Sequence, residues 1–597
     1  MPSRDGQFRE GSDAEVPHPE GVRDLKRLRR ELADTLYRDG APGKYRRQAL
    51  TDLTIAALSA HWDEAADGLT EGIALGAVGS LGRGDSGPYS DLDVVLIHDG
   101  RTLKSDEVAE LAQRLWYPIW DAGLELDYSS RSLTEVRQVA SKDLAAASGL
   151  LDLKPVAGDK ELAQRARSLI YQDWRAAARK RLPELFAASK ARAERHGELA
   201  YLIEPNLKEA RGGLRDLVSL TGLSATWLTD RPHGAVDEAG AHVMDVRDAI
   251  QMEVGRPQNV LGRHLADEVA ALMGHDDPDD LLASLAEAGR EISYALDMTE
   301  RGARRSLERS GVGSRAFLAR RRARAPRHTV VATGLIDVDG ELALAPSYDA
   351  TSDALLPLRA AATAASTGLT ITPTLLATLQ RCPALPDPWP EEAREHLREL
   401  LRGSAHLIAV WEAIDLAGLI VRGLPEWQGV RNRPQRSPIH RFTVDRHMVE
   451  SVVLAAKMRK YDIDHDLLRF ALLVHDIGKR PGATDHSIDG AVLIPEMGRR
   501  LGLSPQTIHD VELLVRQHLT LANLATTEDP EDPATIERLL DAVEHRVELL
   551  DTLRALTECD ARAAGPKAWT QWREQLVNTL YTRARAVAVG RGEVGGA

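Results

Sequence analysis

The sequence predicts a multidomain α+β protein: a small strand-bearing head, a helical middle region and an all-α C-terminal domain. Three observations lead to this reading. At 597 residues the chain is too long for a single hydrophobic core, and about three to five domains are expected. Short apolar runs bounded by Gly, Ser and Asp read as strands between residues 72 and 128. Elsewhere apolar residues recur at helical spacing, over 133–325 and again from His440 to about Val587.

Residues 1–21, rich in Gly, Pro and charge, read as a flexible arm. Residues 22–150 form the first domain. It opens with a helical stretch from Val22 to Ala66, marked by Leu25, Leu28, Leu32 and Leu36, and continues with a buried strand over 72–78. A glycine turn, Gly79–Gly84, leads to a second strand over 91–97; a helix at 105–121 and a third strand at 124–128 follow. Residues 151–325 are predicted to be an associated helical domain, interrupted by the Gly-rich segment Glu204–Asp216. Residues 326–436 read as a connecting region. There Thr329–Leu344 alternates around Asp339–Gly340, a hairpin signal, and the Pro-rich 382–391 and 431–438 read as linkers. Residues 437–590 are helical again, and 591–597 are a tail.

Composition narrows the function. The net charge of -14 argues against a dedicated nucleic-acid enzyme, which carries a basic surface. Cys382 and Cys559 stand far apart, so neither a disulfide framework nor a thiolate zinc site is expected, as in a reducing cytoplasm. The first twenty residues contain no apolar signal segment, and no apolar run approaches the ~20 residues that cross a bilayer. A cytoplasmic protein with no membrane partner is expected.

The first candidate site is Gly79–Ser80 followed by Ser90–Asp91–Leu92–Asp93. Alternate strand residues share a face, so Asp91 and Asp93 project side by side. Two carboxylates this close repel unless cations lie between them, and Mg2+ (or Mn2+) supplies that charge for in-line phosphoryl displacement. The turn at Gly79 and Ser80 lets backbone N–H groups approach triphosphate oxygens. Glu125 and Asp127 both qualify as the third carboxylate, with Asp127 preferred; Arg83 either supports phosphate charge or braces the turn. The plain alternative is a surface turn beside two solvated aspartates. The segment resembles the DNA polymerase β-like nucleotidyltransferase superfamily, which implies metal binding by Asp91 and Asp93 and nucleotide contact by Gly79 and Ser80.

The second candidate site is a set of histidines and acids on helices: His447, the His475–Asp476 pair, His486, His518 and Asp560. Such ligands suit manganese, zinc, iron or magnesium, and a metal so held lowers the pKa of water towards ~7 for attack on a phosphodiester. Taken singly, His486 and His518 read as ordinary surface or core histidines. In this order the set resembles the HD phosphohydrolase superfamily, which implies a divalent metal at His447, His475, Asp476 and Asp560 and a second at the further histidines. Lys479 either binds phosphate or caps the helix end.

The two sites occur together in several enzymes, and the connecting sequence discriminates among them. Glu204–Asp216, the stretch around Thr443–His447, Gly482–Gly490 and Asp560–Trp572 resemble the bacterial PII uridylyltransferase/uridylyl-removing enzyme family. That resemblance implies transfer of UMP or AMP from UTP or ATP to a tyrosine of the PII signalling protein. It further implies hydrolytic removal by the HD domain when glutamine is plentiful. Family members continue into two ACT modules, the proposed glutamine sensors, which are not expected within these 597 residues. The alternatives are a CCA-adding tRNA nucleotidyltransferase with an HD domain, and a nucleotide-binding signalling protein with one inactive head.

Overall fold

The computed structural model describes residues 19–310, 329–403, 405–435, 440–458 and 462–595. The expected arm lies almost wholly outside them, as do the last residues of the predicted middle domain and the end of the tail. The chain divides into two compact units, Met1–Gly313 and Ser314–Ala597.

In the first unit the expected single helical stretch is two helices, α1 (Leu25–Arg38) and α2 (Gly43–Ala65). Gly40 and Pro42 separate them, since proline cannot continue a preceding helix. A four-stranded mixed sheet follows: β1 (Ile73–Ala77), β2 (Leu92–His98), β3 (Leu126–Ser132) and β4 (Lys154–Gly158), in the order β3-β2-β1-β4. β1 pairs antiparallel with β2 and β4, whereas β2 and β3 run parallel. Between β1 and β2 lies the short α3 (Gly79–Arg83); between β2 and β3 lies α4 (Ser105–Asp121).

The two faces of β2 belong to different cores, as its period of two requires. Leu92, Val94 and Leu96 pack with α1, α2 and α4. Val95 and Ile97 pack instead with the helices beyond residue 133, chiefly α5 (Leu133–Lys142), α6 (Leu144–Leu150), α7 (Lys160–Ala176), α8 (Ala178–His196), α9 (Leu214–Ser224), α10 (Ala235–Val254), α11 (Ala266–Leu272) and α12 (Pro278–Ser310). The predicted middle domain is therefore the second layer of the head. β4 lies past the expected boundary at residue 150, yet it completes the sheet.

The second unit begins with a small sheet of β5 (Thr329–Ala332), β6 (Leu335–Val338), β7 (Glu341–Leu344) and β8 (Thr370–Ile371). Asp339 and Gly340 both take positive φ, the backbone of a tight two-residue hairpin turn. The segment read as a linker at 382–391 is packed: Cys382 and Trp389 are buried, and the Trp389 N–H donates to the Arg500 carbonyl at 2.9 Å. The rest is helical. The helices that matter for the site are α13 (Val444–Leu454), α14 (His465–Val474), α15 (His486–Arg500), α16 (Pro505–Gln517) and α17 (Val547–Ala564). Among the described residues, no helix is long and apolar enough to cross a membrane.

Candidate functional site

The fully buried β1 delivers the chain to α3 at the edge of a cavity of about 660 Å3. Where the sequence suggests an open turn, Gly79–Arg83 forms a single helical turn closed by Gly84, whose N–H donates to the Ser80 carbonyl at 3.1 Å. Gly79 has a φ of +58°, and a Cβ there would overlap the Asp93 carboxylate. Only glycine lets the turn lie against that acid. Arg83 braces the turn, with ion pairs of 3.0 Å to Asp85 and 2.6 Å to Asp152.

Asp93 projects from the β2 face opposite Val94, and the parallel register sets Asp127 directly across from it. Glu125 precedes β3, and its carbonyl accepts the Leu92 N–H at 2.9 Å. Asp91, Asp93, Glu125 and Asp127 all line the cavity, together with Gly79, Ser80 and Arg83. Burial, and then the charges of Asp91 and Asp127, push the Asp93 carboxyl up to about 6. The donor chemistry of these acids, hard oxygens lining one cavity, fits Mg2+.

The middle helices supply the far wall. Lys208, Arg215, Arg247 and Gln251 line the same cavity, and none of them was singled out from the sequence as a site residue. The segment Glu204–Asp216 carries the family resemblance, and its basic residues are the signal available in the sequence. The loop before Asp91 is held from three helices. The buried Arg29 of α1 donates to the Gly87 carbonyl at 3.0 Å, Thr51 of α2 accepts the Ser86 N–H at 3.4 Å, and Gln251 of α10 accepts the Tyr89 N–H at 3.3 Å.

In the second unit every singled-out histidine and acid converges. Asp476, buried just beyond the end of α14, is the centre. Its Oδ2 faces His447 Nε2 at 3.8 Å and His475 Nε2 at 3.5 Å; its Oδ1 faces His486 Nε2 at 3.7 Å and His518 Nε2 at 3.5 Å. Asp560 of α17 closes the first half, with Oδ1 at 2.9 Å from His447 Nε2 and 3.6 Å from His475 Nε2. Two ligand groups result, His447–His475–Asp476 and Asp476–His486–His518, joined through one carboxylate. His486 and His518, unremarkable one by one, gain their meaning from this geometry.

The local reasons are legible. His475 and His518 each follow a helix, and each Nδ1 sits 2.8 and 2.7 Å from the carbonyl three residues back, Leu472 and Val515. An Nδ1–H donated there leaves the Nε2 lone pair facing Asp476. A Cβ on Gly478 would overlap the His486 carbonyl and the Gly490 backbone, so this glycine is what lets α15 approach the His–Asp pair. Burial alone would raise the Asp476 carboxyl, but the neighbouring charges, that of Lys479 foremost, hold it well below the usual range. Lys479 serves that end directly, its Nζ 2.7 Å from Asp476 Oδ2 and 3.0 Å from Gln435.

His475 Nε2 and Asp476 Oδ1 are buried with no hydrogen-bond partner. Buried polar atoms are rarely left so, and imidazole nitrogens converging on carboxylates are the donor set of a divalent metal centre. Reading along the sequence missed His440, whose ring lies 5.2 Å from that of His447 and is driven down to about 4 by burial and by the Lys479 charge.

Comparison with known proteins agrees with both halves. A family model described as GlnD PII-uridylyltransferase matches residues 180–299, and an HD domain model matches residues 444–556. A Streptomyces coelicolor protein named bifunctional uridylyltransferase/uridylyl-removing enzyme is 44% identical over 564 residues, covering 93% of this chain and 67% of its own length. A Mycobacterium tuberculosis protein of the same name is 40% identical over 585 residues, 96% of this chain and 71% of its own. A third, from Corynebacterium glutamicum, is 35% identical over 521 residues, 87% of this chain and 72% of its own.

Proposed function

The chain belongs to the family of bifunctional uridylyltransferase/uridylyl-removing enzymes, and from that premise we propose that it transfers UMP from UTP to a tyrosine of the PII protein and hydrolyses the same bond at a second site. The observation that carries the proposal is the coexistence of two acid-bearing sites on separate units: the cavity lined by Asp91, Asp93 and Asp127, and the histidine cluster around Asp476.

At the first site the residues present fit Mg2+, which when bound supplies charge against the triphosphate. Asp91, Asp93 and Asp127 hold that charge at the floor of the cavity. The tyrosine hydroxyl attacks the α-phosphate, the bond to the β-phosphate breaks, and pyrophosphate leaves. Asp127, opposite Asp93 in the register, takes the hydroxyl proton in this reading. Gly79 and Ser80 position the nucleotide against these acids.

At the second site the residues would hold a divalent ion, which when bound would lower the pKa of water for hydrolysis of the phosphodiester. His447, His475, Asp476 and Asp560 form one half of the cage, and His486 and His518 share Asp476 in the other. Manganese or magnesium suits this mixed nitrogen and oxygen set. Glutamine, as the signal of nitrogen sufficiency, favours removal. Separate sites give each direction its own nucleophile and leaving group, so a regulator can favour one without reversing the other.

The test is direct. Purified PII, the full chain and radiolabelled UTP or ATP are incubated with Mg2+, with and without glutamine. Label from UTP is expected on a tyrosine of PII, and glutamine is expected to speed its release as UMP. Labelling of tRNA lacking its 3′ end, with none of PII, would overturn the proposal.

A further inference from the structure

We propose that Glu204–Asp216 is the triphosphate-binding loop of the transferase site, with Lys208 as its phosphate ligand. The inference rests on the transferase reading above and assigns this segment a role in it.

The loop is built to hold one side chain in place. Asn206 Oδ1 accepts the backbone N–H groups of Lys208 and Glu209 at 3.1 and 2.9 Å. Leu207 and Ala210 are fully buried anchors on either side. The chain then folds back, the N–H groups of Leu214 and Arg215 donating to the carbonyls of Leu207 and Lys208 at 2.9 and 3.0 Å. Asp216, itself buried, accepts the Gly212 N–H at 2.7 Å and pairs with Arg192. Backbone this constrained presents the half-buried Lys208 to the cavity from a fixed base, and Arg215 beside it.

Charge distinguishes Lys208 from the other cations of the wall. Arg83 is engaged by Asp85 and Asp152, and Arg247 by the Asp85 carbonyl and Asp248. Arg131 lies four residues along β3 from Asp127, about 13 Å at strand spacing. Among the described residues the Lys208 ammonium has no ion-pair partner, and it lines the same cavity as the acids. An uncommitted ammonium on a flexible stem, within reach of the acids but not bonded to them, suits a polyanion that arrives with its own cations. Once divalent ions neutralise the acids, Lys208 is left for the phosphates.

Equilibrium dialysis of labelled UTP and of labelled UMP against the full chain, with Ca2+ present, tests this. Lys208→Met is expected to weaken UTP binding tenfold or more, leave UMP binding unchanged, and leave removal of UMP from modified PII at the parent rate. Lys208→Arg is expected to restore most of the UTP affinity. Equal loss of UTP and UMP, or loss of neither, in a variant that still removes UMP would overturn the assignment. If the parent chain bound UTP but modified no PII, the acceptor proposed above would fall while the loop assignment stood. If it bound no triphosphate, both would fall.

Discussion

Above pH 6 the folded chain holds an Asp93 anion that burial and the neighbouring charges of Asp91 and Asp127 make unfavourable. The folded pKa, about 6, lies above the ordinary carboxylate value. The destabilisation is therefore full above pH 6 and gone once pH falls below the unfolded value near ~4. Asp93→Asn, which mimics the protonated acid, is expected to raise the melting temperature of metal-free protein at pH 8 and leave it unchanged at pH 3.5. Mg2+ is expected to raise that temperature more in the parent than in the variant. A thermal shift series across pH, with and without Mg2+, reads both effects. The paired acids and the His–Asp doublet were legible because their chemistry is compressed into neighbouring residues. Lys208, Arg215 and His440 were not, because nothing adjacent to them in sequence shows which cavity they meet.

At the scale of elements, the close approach of α14 and α15 is set by Gly478 against Gly490. Gly478→Ala is expected to push α15 away, pulling His486 from Asp476 while leaving His447 and Asp560 together. Removal should fall at least ~10-fold, consistent with loss of one well-placed ligand, and the metal bound per chain should fall by one ion. Elemental analysis beside a UMP-release assay checks this; unchanged stoichiometry would show that the helix contact does not build the second half. Helices such as 105–121 were read from periodicity alone, whereas β4 escaped. Its five residues include Pro155 and form an edge strand that only pairing with β1 defines. The stretch 382–391 looked like a linker for a similar reason, since prolines mark turns without telling whether Trp389 beneath them is buried.

For the whole molecule, an acid-lined cavity in one unit and a histidine–aspartate cluster in the other imply separable activities. Asp91→Asn with Asp93→Asn is expected to reduce UMP transfer by ~1,000-fold or more, the scale of several kcal/mol of lost charge stabilisation, with removal intact. His475→Ala with Asp476→Asn should abolish removal and spare transfer. Parallel assays of both reactions on folded variants decide it; if either pair silenced both, one shared centre would have to replace two.

Because successive residues of β2 serve opposite cores, the transferase cannot be trimmed to its strands. A fragment ending at residue 150 would strip the cover from Val95 and Ile97, lose β4, and leave Asp93 facing water instead of the wall that carries Lys208. Limited proteolysis should accordingly yield no stable head shorter than one reaching α12, and the smallest autonomous transferase would extend to about Ser310.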